Sequence, residues 1–104
     1  MSLSQMVLAL LSKITDPKTR IDLMTTINYL KNVYMSGRGS DEEIKKDLRD
    51  VAAEIIRLSN PDLLEEEIAP RAEVVAEELF RRFKLESMRY RLAAKYKSKS
   101  GIIT

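Results

Sequence analysis

The chain carries sixteen carboxylates and neither histidine nor cysteine, and this bounds the chemistry open to it. Without imidazole it lacks the side chain that most often moves protons near neutral pH. The commonest nucleophile–base pairing is missing, and so are the usual ligands of zinc. No Walker A or GxGxxG phosphate loop occurs, and "GRG" at 37–39 is too short to cradle a phosphate alone. What remains is carboxylate. Glu43, Asp47, Asp50 and Glu54 recur at spacings of three and four, which puts them along one side of a helix. Glu65, Glu66, Glu67, Glu73, Glu77 and Glu78 follow. Carboxylates in such an arrangement can hold Mg²⁺ for phosphoryl chemistry.

The same ridge has a plainer reading, a solvated and salt-bridged face. Its spacing does not match the paired acidic motifs of all-α nucleotide pyrophosphohydrolases. Lys46 and Arg57 lie beside it, and Lys45 and Arg49 add positive charge nearby. We therefore assign no catalytic residue and no metal site, and the sequence calls for no cofactor.

The second group with chemical potential is "SMRYRLAAKYKSKSG", residues 87–101. Arg82, Lys84, Arg89, Arg91, Lys95 and Lys97 are suited to phosphate contact, and Tyr90 to stacking on a base. Against this stands an ordinary explanation. Basic residues complement a helix C-terminus, and long basic stems cover the edges of an apolar stripe. A membrane-surface helix would want a longer stripe with Trp or Phe.

Charge is partitioned along the chain. Residues 1–40 have a net charge of +3, residues 41–80 of −8 and residues 81–104 of +7, within an overall +2. Such asymmetry indicates a contact surface, within the chain or with a partner.

These groups must be positioned by helices. At 104 residues, with 44% apolar and 33% charged residues, the chain suits one globular domain. Nothing alternates with a period of two, and there are only 3 Gly and 3 Pro. The absence of cysteine suits a reducing compartment, so a cytoplasmic location is expected. Abundant Glu, Lys and Arg suit a thermophilic source. No run approaches the roughly 20 apolar residues of a membrane span, and Leu3–Leu11 lacks the basic flank of a signal peptide.

Leu3, Met6, Val7, Leu10, Leu11 and Ile14 share one face of a first helix. Thr15 or Asp16 can cap a second helix with Pro17 in its first turn, running to about Ser36. Its expected inward residues are Ile21, Met24, Ile27, Leu30 and Tyr34. Gly37 or Gly39 closes it in the left-handed conformation. Ser40 and Glu43 form a capping box for a third helix ending near Asn60, with Ile44, Leu48, Val51, Ala52, Ile55 and Leu58 inward. Asn60-Pro61 is expected to open a short helix, with a corner at Ala69-Pro70. A last helix should run from about Arg71 to Lys97.

Projected at about 100° per residue, the last helix has two apolar faces. Ala72, Val75, Ala76, Leu79, Phe80 and Phe83 lie on one side. Leu85, Met88, Leu92 and Tyr96 lie on roughly the opposite side. Either the helix breaks near Lys84 and folds back, or it stays straight and offers the second stripe to a partner. No Gly or Pro marks a break.

The expected fold is all-α, a compact bundle of four to five helices with a long C-terminal helix. Residues 1–97 form the domain and 98–104 a flexible tail. The expected function is a non-catalytic accessory or adaptor subunit of a DNA- or RNA-processing complex. It binds another protein, or itself, through Leu85, Met88, Leu92 and Tyr96. Nucleic acid meets Arg82, Lys84, Arg89, Tyr90, Arg91, Lys95 and Lys97. The alternatives are a Mg²⁺-dependent all-α phosphohydrolase and a self-assembling helical protein without nucleic-acid contact.

Overall fold

The computed structural model describes the backbone of residues 5–103 and the side chains from Gln5 to Tyr96. Four helices follow in order: α1 (Gln5–Ser12), α2 (Pro17–Met35), α3 (Asp41–Ser59) and α4 (Glu65–Ile103). No strand occurs among the described residues.

Local chemistry sets each boundary. The last turn of α1 tightens through bonds from Lys13 N to Leu10 O and Ile14 N to Leu11 O. Arg20, in the first turn of α2, donates from Nη1 to the Ile14 carbonyl at 2.6 Å and ties the two helices together. Asp16 is the N-cap of α2, with Pro17 just inside. The Thr19 hydroxyl donates to the Asp16 carboxylate at 2.6 Å and holds its pKa below the ordinary value.

Gly37, with φ of 73°, ends α2. Its N–H reaches the Tyr34 carbonyl while Arg38 N reaches Val33 O, the paired bonds of a Schellman closure. Ser40 caps α3 by accepting from the Glu43 N–H at 3.2 Å. Asp41, Glu42 and Glu43 then fill the positive end of its dipole.

The expected fifth helix is absent, because Asn60–Leu63 forms a turn closed by Leu63 N on Asn60 O. The N–H of Leu64 then donates to Glu67 Oε1, giving α4 the side-chain-to-backbone half of a capping box. Pro70 makes no corner either; it lies inside α4. It is the sixth residue of that helix, and its missing N–H frees the carbonyl of Glu66. Glu66 is exposed, so water can satisfy that carbonyl. At its far end α4 is helical to Ile103, past the expected stop at Lys97.

The core is one cluster, and α3 is its centre, packed against α1, α2 and α4. Leu48, Ala52 and Ile55 of α3 are completely buried, as are Leu79 and Phe83 of α4 and Val7 of α1. On α3, Ile56 is buried and Leu58 is exposed, a reversal of the expected pair. A helix enclosed on three sides buries a wider arc than a single stripe, and that arc takes in Ile56. On α2 the inward residues are Leu23, Ile27 and Leu30. Ile21 and Met24 are exposed instead, because α2 meets the bundle along a narrower, rotated face. Leu3 lies outside the described residues.

Ile55→Ala should lower unfolding free energy by roughly 2–5 kcal/mol, through reduced burial and the cavity left behind. Denaturant titration measures it. Gly37→Ala meets no atom within 4 Å. Its cost is therefore backbone strain, expected at about 1–2 kcal/mol, with α3 and its Ser40 cap unaffected.

Candidate docking and nucleic-acid interface

Among the described residues, the last contacts of the bundle on α4 involve residues 80–87. Tyr34 of α2 meets Phe80 edge-on, with ring centroids 5.3 Å apart, and lies 6.2 Å from Phe83. One turn further, Lys31 pairs with Glu86 at 3.4 Å, with both side chains largely shielded. Ser87 is buried as well. From Met88 to Tyr96 every described residue is exposed.

The helix therefore does not break at Lys84. It passes straight through the flip in apolar face and leaves the bundle as an arm. At 1.5 Å per residue its 39 residues span about 58 Å, which matches the 59 Å long axis of the molecule. The arm needs no fresh nucleation, since it extends a helix already fixed by tertiary contacts. Its Leu, Arg, Ala and Lys content favours propagation.

The expected stripe divides at the edge of the bundle. Leu85 is half-buried, while Met88, Leu92 and Tyr96 are exposed by 57%, 53% and 68%. Lys84, Arg91 and Lys95 flank one side of the stripe and Arg82 and Arg89 the other. Arg82 is half-buried and forms an ion pair at 3.5 Å with Glu78, one turn back on the same helix. Arg89, Arg91 and Lys95 are exposed and have no carboxylate partner among the described residues. Tyr90, 67% exposed, stands on the other side of the helix, in line with Phe83 and beyond the end of the bundle. The side chain of Lys97 lies outside the described residues.

Half of the acidic ridge, Asp50 and Glu54, is tied to neighbouring cations, and so are several of the carboxylates that follow it. Lys46 pairs with Asp50 at 3.7 Å and Arg49 with Glu73 at 3.8 Å. Arg57 bridges Glu54 and Glu65, holding Glu65 through two nitrogens at 3.1 and 3.2 Å. On α4, Arg81 holds Glu78 at 2.7 Å. That hydrogen bond is the main reason the Glu78 carboxyl titrates below the ordinary glutamate range. Among the described residues no three acidic side chains converge on a point where a metal could sit.

Two concavities escape the sequence reading. One is an apolar groove of about 600 Å³ between α1 and the start of α4, lined by Met6, Leu10, Pro70 and Val74 with Lys13 and Arg71 at its edges. The other is a basic cleft of about 360 Å³ between α3 and α4, where Lys45 and Arg49 face Arg81 and Lys84 across Phe80. In sequence each helix shows only a pair of cations one turn apart. That the pairs face each other depends on how α3 and α4 pack.

No protein-family model, curated protein or solved structure matches the chain. No helix among the described residues is long and apolar enough to cross a membrane.

The end of the bundle is measurable as a change in mutational cost along one helix. Phe83→Ala should destabilise by about 3–5 kcal/mol. Leu92→Ala, six residues beyond Glu86, should change stability by less than about 0.5 kcal/mol. Thermal and denaturant melts of the two variants check the contrast.

Proposed function

We propose that this chain is a non-catalytic accessory protein, a small helical subunit of a DNA- or RNA-processing complex. The arm of α4 is its docking element, and the basic shoulders of the arm are its nucleic-acid contact. The carrying observation is that Met88, Leu92 and Tyr96 lie exposed where α4 continues past the end of the bundle, on the helix face opposite its core residues. Seating each apolar side chain in a partner groove is worth on the order of 1–2 kcal/mol. That is a reason for an apolar stripe on a helix which its own bundle does not need.

Charge favours an acidic occupant over a second copy. Residues 81–104 carry eight basic groups and one acidic. Two arms side by side would set like charge against like, which costs association energy. A phosphate backbone, or a partner helix with acidic flanks, supplies the complement. The ion pairs of Asp50, Glu54, Glu65, Glu73 and Glu78 support a structural role for the acidic face rather than a metal-dependent hydrolase. A cytoplasmic location accompanies this reading.

The test uses fluorescence anisotropy with labelled DNA and RNA across a salt series. Changing Arg89, Arg91, Lys95 and Lys97 to Gln should flatten the salt dependence by up to about 3–4 units of slope, at roughly 0.9 per duplex phosphate neutralised. Leu92→Glu should leave helix content and nucleic-acid affinity near wild type while removing protein association. A wild-type protein with no affinity for DNA or RNA at low salt would overturn the nucleic-acid part of the proposal.

A further inference from the structure

The basic cleft between α3 and α4 holds an arrangement that the fold itself does not require. Phe80, at 5% exposure, closes the bundle surface there. The Lys45 ammonium lies 5.0 Å from its ring centroid and the Lys84 ammonium 5.6 Å. The two lysines come from different helices, so their approach to one ring follows from packing and not from local sequence. Neither forms an ion pair among the described residues, although carboxylates are abundant on both helices. The other charged groups in the cleft are more engaged. Arg49 is paired with Glu73, and Arg81 is held by Glu78 through two bonds. Counting Glu77 as well, the walls carry four cations against two carboxylates.

Two ammonium groups brought to one ring repel each other. The ring quadrupole offsets part of that cost. A bound oxyanion would reverse it, accepting from both lysines at once. The position of the cleft adds a second constraint. Lys84, Arg91 and Lys95 lie along one strip of α4, because intervals of seven and four residues return to nearly the same side of a helix. Lys84 and Arg91 are separated by about 10 Å along the axis, and Arg91 and Lys95 by about 6 Å. The shorter interval suits adjacent phosphates of a strand, and the longer one leaves room for a phosphate between.

We propose that this cleft is a phosphate-binding site, with Lys45 and Lys84 as its anion ligands and Phe80 as its floor, and that a single nucleic-acid strand seated there runs outward along Arg91 and Lys95. The strand rests on the nucleic-acid reading above; the phosphate site does not. Lys45, Phe80 and Lys84 thus act as the inner end of a track whose outer end is the arm.

Two measurements test it. First, ¹H–¹⁵N spectra of the wild-type protein are followed as inorganic pyrophosphate or a labelled thymidine oligonucleotide is added. Shifts should centre on Lys45, Phe80 and Lys84 with both ligands, and extend to Arg91 and Lys95 with the oligonucleotide alone. Second, Lys45→Gln with Lys84→Gln should weaken oligonucleotide binding about tenfold or more at low salt and reduce the salt slope by roughly 1.4, near 0.7 for each single-strand phosphate no longer neutralised. Arg at both positions should restore binding. Wild-type affinity and slope in the Gln variant, with pyrophosphate shifts scattered elsewhere, would overturn the site and leave the lysines as a cover for Phe80. If that happens while Gln at Arg91 and Lys95 still weakens binding, the arm reading survives without the cleft. Pyrophosphate shifts at the cleft with no oligonucleotide affinity would keep the phosphate site, assign it to small phosphorylated ligands, and overturn the strand.

Discussion

Leu48, Ala52 and Ile55 of α3 are withdrawn from water by three other helices at once, and the positions of those helices follow from that burial. A 19-residue helix is about 28 Å long, so it can cover only about half of α4. Among the described residues, the buried ones of α4 accordingly run from Ile68 to Ser87 and stop. Tyr34, Phe80 and Phe83 form an aromatic closure at that end, with Lys31–Glu86 as its outer pair. The arm exists because α4 continues after the helices that bury it have ended.

Charge distribution acts on the same geometry. The acidic middle of the chain falls on α3 and the proximal half of α4, where its carboxylates meet Arg49, Arg57, Arg71 and Arg81 at close range. Most of these pairs are exposed, and each is worth little. Their effect is to neutralise the bundle surface locally. No such pairing reaches Arg89, Arg91 or Lys95 among the described residues, so positive potential concentrates on the arm. A modest overall charge thus coexists with a strongly polarised molecule, and polarised surfaces steer association more than they stabilise a fold.

Signals confined to a few neighbouring residues were legible directly. Ser40 caps α3, Pro17 opens α2, and one of the two glycines the sequence offered, Gly37, takes the left-handed conformation where the chain needs one. In each case the requirement and the residue that meets it lie within one helical turn. The change of apolar face between Phe83 and Leu85 was also visible as a period. Whether it meant a break or an arm was not, because that depends on how far α2 and α3 reach along α4.

Sequence by itself therefore determined the all-helical class, the boundaries of α2 and α3, the exclusion of His- and Cys-based chemistry and the basic character of the C-terminal segment. Tertiary structure decided the rest. Pro70 reads locally as a corner, yet it is accommodated because its cost falls on a carbonyl at an exposed residue near the helix start. Ile56 and Leu58 are equally apolar, and only enclosure of α3 by three helices selects Ile56 for the core. Lys45 and Lys84 are thirty-nine positions apart with nothing in the intervening residues to pair them. Their meeting at Phe80 is fixed by the rotation of α3 against α4, which follows from the shape of the packed core and leaves no trace in local spacing.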